Sequence, residues 1–462
     1  MAYCQGACDG EVTARRVLRV ECDVRLSGLS VVNPQVKDLG HLRLGPAERV
    51  PDPLAVLGCP SVTLHDLCGG AALFLEVPEG CDVYSSKEGS FLYDAQLKHA
   101  TRAFYVPIPT FLEIAEQFGR PRCGCVVLSS TGRCGSTLLS QILETQPRVT
   151  SLSEPLALLR CAGLAASPDC RPPGLEAWEA EEPQRVLAAC FAACLKGFGP
   201  ERVVCLKLHS QALSLVPLLS SAFPESRQLY LYRDVEPTVS SFVRFVSTFY
   251  PAPVQAMTET RFGAWLLNGL VMAVLAKVGG VRFSFLNLMD EDAAWAKSFE
   301  LWQRAPNVLT VLQVASNLRA AMRLLSDGSA GGLRSLHYDD LLARPAEACE
   351  RLLAFCGLPC GGADVAGALA AFAEDSQRGS CFSKERTGSQ EVDFPAGDVE
   401  LFDELLQGLA LPCSFRGRLR LPGSLLGPAA PEAAGRARAD AGRLRCNLRQ
   451  ALRPGKFGCN LT

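Results

Sequence analysis

The 462-residue sequence lacks a surplus of either charge: 46 Lys and Arg stand against 48 Asp and Glu, a formal net charge of −2. A protein that coats nucleic acid needs an excess of cations to replace phosphate counterions, so that class is excluded. Histidine is scarce, with five in the chain. Cys123-Gly124-Cys125 and the Cys356/Cys360 pair have no second ligand pair at zinc spacing, which excludes a structural zinc site. No residue in Met1-Ala2-Tyr3-Cys4-Gln5-Gly6 or beyond builds a basic segment followed by an apolar one, so no secretory signal is read and the expected location is cytoplasmic. No run is long and apolar enough for a bilayer. The best candidate, Phe262 to Gly280, contains Asn268 and Lys277 and is expected to be a buried helix. Internal repeats are absent as well.

Cysteine, by contrast, is abundant at 21. That is below the roughly 8–10% that marks a disulfide scaffold. Several cysteines lie inside apolar runs (Cys125, Cys190, Cys194, Cys205, Cys356), the pattern of buried reduced thiols. Hydrophobic residues make up 48% and charged residues 20%, enough apolar material for a large core. At about 150 residues per domain the length suggests two or three units, or one large α/β domain with extensions.

Three regions are expected. Residues 1–120 form an N-terminal extension of short mixed strands (Val17 to Leu26, Ala71 to Val77, Ala103 to Ile108) and a helix near Thr110 to Gln117. Residues 121–395 alternate continuous apolar runs with helical patterns: Cys125 to Ser129, Arg202 to His209, Arg227 to Tyr232 and Leu333 to Tyr338 are the strands. Helices follow them, one with Val239, Phe242, Val243 and Val246 on a single face, another opened by Pro345. Continuous strands alternating with helices imply α/β architecture, a parallel sheet flanked by helices, with a helical insertion at about 253–330. Residues 396–462 form a helical, basic tail; Arg416, Arg418 and Arg420 are expected to be solvated.

The most informative segment is Val126-Val127-Leu128-Ser129-Ser130-Thr131-Gly132-Arg133-Cys134-Gly135-Ser136-Thr137-Leu138-Leu139. A strand ends, a loop of small residues follows, and a helix begins. Gly132 and Gly135 permit a sharp turn and close approach to a ligand. The helix start offers unpaired N–H groups and a positive dipole end. Ser136 and Thr137 add hydroxyls, and Arg133 adds a fork-shaped cation. Together these point to a phosphate or sulfate. The loop is not a Walker A, because Gly135 stands where that motif needs lysine before the hydroxyl residue.

Arg133-Cys134-Gly135-Ser136-Thr137 resembles the 5′-phosphosulfate loop of the sulfotransferases that use 3′-phosphoadenosine 5′-phosphosulfate, with Cys134 in place of a more usual small residue. A second family element, a strand ending in Arg followed by Ser eight residues on, is matched by Arg233 and Ser241. The resemblance implies that this pair holds the donor's 3′-phosphate. Cys205-Leu206-Lys207-Leu208-His209 is similar to a Lys-x-His segment whose His is the general base in cytosolic sulfotransferases, which implies His209 as base, with Lys207 helping Arg133 and the loop amides hold the sulfuryl oxygens. Glu154, in Ser153-Glu154-Pro155, is the other candidate base. Tyr338 matches a Tyr expected near the adenine. Arg386 and Gly388 match loosely a late Arg-x-Gly segment closing on the 3′-phosphate. The resemblance spans roughly residues 122–390 and implies the P-loop NTPase-like sulfotransferase fold. It also implies a metal-free transfer of a sulfuryl group to a hydroxyl or amine on a small molecule or carbohydrate. A homodimer is compatible with it. A scaffold that binds the nucleotide without catalysis and a P-loop kinase-like enzyme remain as alternatives.

Overall fold

The computed structural model describes residues 11–20, 42–68, 70–165, 183–247, 307–328, 330–377 and 392–427. Ten strands among them form two sheets. The first is antiparallel: β1 (Thr13–Val20), β2 (Leu42–Arg49), β3 (Val62–Cys68), β4 (Ala71–Glu76) and β5 (Arg102–Pro107) lie in the order β2-β1-β5-β4-β3. The second is wholly parallel: β6 (Gly124–Ser130), β7 (Val149–Ser153), β8 (Val203–Lys207), β9 (Arg227–Tyr232) and β10 (Arg334–His337) lie in the order β10-β9-β6-β8-β7. The expected parallel sheet flanked by helices is therefore present, with the strand that feeds the glycine loop at its centre.

Three strands were not foreseen, each for a physical reason. β7 is Val-Thr-Ser-Leu-Ser, with too few apolar residues to stand out, although its first four residues are buried. β2 carries Gly45 and Pro46, which read as a turn; it is tolerated because β2 is an edge strand. β3 holds His65 and Asp66, which break an apolar pattern, yet both are buried. There, His65 Nδ1 bonds Gln96 Oε1 at 2.8 Å, and Asp66 takes a two-point contact from Arg160 at 3.0 and 3.1 Å. The strand expected over Val17 to Leu26 is β1, which runs four residues earlier; residues 21–26 lie outside the described residues.

Helix α1 (Ile108–Phe118) opens with proline in its first turn and ends at Gly119, whose φ of 71° suits glycine. It buries Phe111, Leu112, Ile114 and Ala115, and Phe111 meets Phe74 edge-on at 5.8 Å. One apolar cluster joins Phe74, Phe104 and Phe111 to Val127, Leu152 and Leu206, so the two sheets share a core. Helix α2 (Ser136–Glu144) follows the glycine loop, and α3 (Val235–Ser247) follows β9. Of the expected helical insertion, α4 (Val308–Asp327) is described; Phe262 to Gly280 lies outside the described residues. Among the described residues no helix is long and apolar enough to cross a membrane. Helices α5 (Tyr338–Ala343) and α6 (Pro345–Phe355) follow β10, and α7 (Ala396–Gly408) precedes the last described segment.

The last described segment is packed against the sheet, although Arg416, Arg418 and Arg420 are exposed as expected. Phe415, Leu419, Leu421 and Leu426 are buried, and Arg420 forks onto Asp340. The chain lies beside β10: Ser335 N–H donates to Gly423 O at 3.0 Å and Leu425 N–H to Ser335 O at 2.7 Å. Phe415, Leu419 and Leu421 are buried while Arg416 and Arg420 reach Glu236 and Asp340, a pattern that composition alone reads as a basic tail.

Candidate functional site

The parallel strands β6, β7 and β8 end on one side of the sheet, where open α/β sheets place their ligands. A cleft there, of about 870 Å³ including its mouth, is lined by the loop and by strand ends. Gly132, Arg133, Ser136 and Thr137 line it from the loop, Glu154 from the end of β7, and Lys207 and His209 from the end of β8. Phe91, Tyr93 and Gln211 complete one wall; Phe242, Phe245, Thr310, Gln313 and Gln377 complete the other.

The loop turns through left-handed backbone at Gly132 (φ 76°), Arg133 (φ 52°) and Gly135 (φ 89°). Gly135 admits no side chain, because a Cβ there would collide with the Tyr338 ring; one at Gly132 would approach Phe242 to 2.9 Å. Helix α2 starts directly at Ser136 without a side-chain cap, leaving its first N–H groups available. Cys134 turns its side chain away from the cleft. Its side chain is buried and its thiol donates to Leu231 O at 3.3 Å, so it pins the loop to β9 and can offer a ligand only its main chain. Burial pushes that thiol up from its ordinary value.

The two distant motifs meet directly. Arg133 Nε donates to Ser241 Oγ at 3.1 Å across 108 residues, and Arg133 Nη1 donates to Gln377 Oε1 at 3.2 Å. Arg233, Ser241 and Tyr338 lie beside the cleft rather than on its lining. The Arg233 guanidinium lies over the Tyr338 ring at 5.1 Å, and its Nε faces Asp339 Oδ1 at 3.9 Å. That Nε is buried with no hydrogen-bond partner among the described residues. Arg244, one turn beyond Ser241 and unmarked in the sequence reading, is pushed down from its ordinary value by burial and by Arg233. Arg233 and Arg244 are thus close enough to repel each other, an arrangement that favours an anion nearby. Arg386 and Gly388 lie outside the described residues.

Lys207 is almost wholly buried and spends its three protons inside the site: on Thr137 Oγ1 at 3.3 Å, Ser153 Oγ at 3.1 Å and Glu154 Oε1 at 3.0 Å. It ties β8 to the start of α2 and to the end of β7. His209 Nδ1 accepts the Gln211 N–H at 3.2 Å. A neutral ring therefore carries its proton on Nε2, which faces Glu154 Oε2 at 3.9 Å. Glu154 itself is held in left-handed backbone (φ 57°), its N–H bonded to Lys207 O at 2.8 Å. The aromatic wall of Phe91 and Tyr93, stacked at 5.3 Å, comes from the N-terminal region, where nothing in the pattern marked a site.

No family model matches the chain, and no curated protein matches it. Among solved structures it is similar to the sulfotransferase domain from the curacin biosynthetic pathway: 16% identity and TM-score 0.31, covering 70% of this chain and 99% of that one. It is similar to a sulfotransferase from Alicyclobacillus acidocaldarius at 15% identity and TM-score 0.26, covering 63% and 96%. Sulfotransferase STF9 from Mycobacterium avium is a third, at 12% identity and TM-score 0.32, covering 67% and 83%. These structural neighbours are sulfotransferases. The superpositions are distant.

Proposed function

We propose that the protein is a sulfotransferase that moves a sulfuryl group from 3′-phosphoadenosine 5′-phosphosulfate to a hydroxyl or amine acceptor. One observation carries the reading: the Arg133–Ser241 hydrogen bond joins an uncapped, glycine-turned helix start to a second candidate anion site, where the buried Arg233 Nε has a 3.9 Å ion pair to Asp339 but no hydrogen bond among the described residues. A ligand with an anion at each end fits such a pair, and the donor nucleotide is one. A donor left without a hydrogen bond fits the nucleotide's far phosphate, since burying an unsatisfied guanidinium nitrogen is costly.

The bound donor supplies the sulfuryl group; the chain supplies position and charge. Arg133 and the N–H groups at the start of α2 would hold the phosphosulfate oxygens. Arg233, Ser241 and Arg244 would hold the 3′-phosphate, and Tyr338 would border the adenine side. The acceptor oxygen or nitrogen forms its bond to sulfur as the bridging S–O bond breaks, and the acceptor proton needs a base. The His209 tautomer selected by Gln211 has no free lone pair, which supports Glu154 as the base and makes His209 Nε2–H a donor towards it. Lys207, with all three protons committed, holds Glu154 and Thr137 in place rather than contacting the acceptor. The requirement is positional, as in phosphoryl transfer, and no metal ligand set is invoked.

Calorimetry tests the donor site: adenosine 3′,5′-bisphosphate should bind, ATP with Mg²⁺ should not compete, and Arg133→Ala should weaken the bisphosphate by about 1.5–3 kcal/mol per lost charge-assisted contact. Unchanged binding in Arg133→Ala would overturn the site. Radiolabelled sulfate transfer tests the base: Glu154→Gln should lower turnover about 10²–10⁴-fold with bisphosphate still bound. A fall of that size in His209→Ala with full activity in Glu154→Gln returns the base to His209, and binding without transfer to any acceptor indicates a nucleotide-binding scaffold.

A further inference from the structure

Arg233 is a partly buried cation at the far end of the site, and the acidic residues around it are held in part by the C-terminal segment. Asp234, its chain neighbour, accepts from the main-chain N–H of Leu419 at 3.0 Å and from His337 Nε2 at 3.1 Å. His337 is fixed as an Nε2–H donor because its Nδ1 accepts the Asp339 N–H at 3.1 Å. Asp339 faces Arg233, and the next residue, Asp340, accepts both arms of the Arg420 guanidinium. Tyr232, the residue before Arg233, accepts the Leu421 N–H on its hydroxyl at 3.0 Å. At the start of α3, Glu236 N–H donates to Phe415 O at 3.2 Å, and the Glu236 carboxylate pairs with Arg416 at 3.2 Å.

Residues 415–421 thus touch Tyr232 and Asp234, the positions on either side of Arg233, and Asp340, the neighbour of the Asp339 that faces it. Asp234, His337 and Asp339 bring three potential ligand atoms close together. Both nitrogens of the imidazole are committed to protein partners, so the cluster works as a brace. Asp234 and Asp340 are buried, and each would be an uncompensated charge without its partner.

We propose that the C-terminal segment 415–421 is a positioning strap for the 3′-phosphate subsite: Arg420 and the Leu419 N–H set the acid frame that aims Arg233, so selectivity for a 3′-phosphorylated nucleotide depends on a segment remote from the donor loop. This rests on the donor reading above and gives Arg420 and Leu419 positioning roles. The phosphosulfate loop is braced separately, by Cys134 on Leu231 and by Lys207 on Thr137. Loosening the strap is therefore expected to move one end of the donor site and leave the other in place.

The test compares adenosine 3′,5′-bisphosphate with adenosine 5′-phosphate by calorimetry in the full chain, wild type against Arg420→Gln, Arg420→Lys and Leu419→Pro. Arg420→Lys keeps the charge and loses the fork; Leu419→Pro removes the N–H to Asp234. The strap predicts that the bisphosphate-to-monophosphate affinity ratio falls about tenfold in Arg420→Gln and Leu419→Pro, and less in Arg420→Lys, while monophosphate affinity stays within about twofold. An unchanged ratio overturns the proposal, as does parallel loss of both nucleotides, which marks a general effect on folding. A wild-type protein that does not prefer the bisphosphate overturns the donor reading instead, so the two failures are distinct.

Discussion

Arg133 and Glu154 are two of the four non-glycine residues with positive φ among those described, and both line the cleft. A side chain held in left-handed backbone stores roughly 1–3 kcal/mol, which surrounding contacts must offset. At Arg133 those contacts are Ser241 and Gln377; at Glu154 they are Lys207 and the main-chain bond to Lys207 O. Gly135 needs the same region and also needs empty space, since Tyr338 fills the place of a Cβ. Gly135→Ala should therefore cost about 1–3 kcal/mol of folding free energy from backbone strain, with a further loss from displacing Tyr338. Urea denaturation measures it, and wild-type stability in that variant would show that the loop is not held as described.

Helix α2 carries the second electrostatic feature. Its last residue, Glu144, is pushed up from the ordinary carboxyl value by burial, against hydrogen bonds to Ser86 and Ser151 that pull it down. A raised folded value means that the folded state binds more protons than the unfolded one above about pH 4.5. Stability linked to Glu144 is then full below that value and is lost as pH rises through the folded value. Glu144→Gln removes the titration. It should leave stability near pH 4 little changed and raise it relative to wild type at pH 7 to 8, read as the difference in melting temperature between the two conditions. An equal shift at both pH values would show that the carboxyl is not penalised. Because α2 begins at the loop, the same comparison reports how firmly its far end is anchored.

At the scale of the whole molecule, the antiparallel and parallel sheets meet in one apolar cluster that includes Phe111 from α1. Truncating a fully buried Phe usually costs about 3–5 kcal/mol. Phe111→Ala should lose that much and still unfold in a single transition followed by both fluorescence and circular dichroism. Two separated transitions would mean that the sheets fold as independent units. The antiparallel half also reaches the cleft, through Phe91 over which the Lys207 ammonium lies at 5.0 Å. That cation–π contact helps explain how a lysine with a carboxylate partner can be so deeply buried.

Sequence alone determined the strand–loop–helix unit, the order of the glycine loop and the Arg233–Ser241 segment, and the parallel character of the sheet around β6. Those signals are local: glycine at positive φ, continuous apolar strands, and hydroxyl residues opening a helix. The tertiary structure decided which way each group faces. Cys134 lies inside the motif yet turns its thiol into the core, because a carbonyl of β9 passes behind the loop. His209 has the residue type of a base, but the turn into Gln211 caps one ring nitrogen. Arg416 and Arg420 read as part of a basic tail because their acidic partners are 180 and 80 residues away in the chain. Side-chain direction, tautomer and counter-ion depend on contacts across the chain, and no spacing pattern within a single segment carries them.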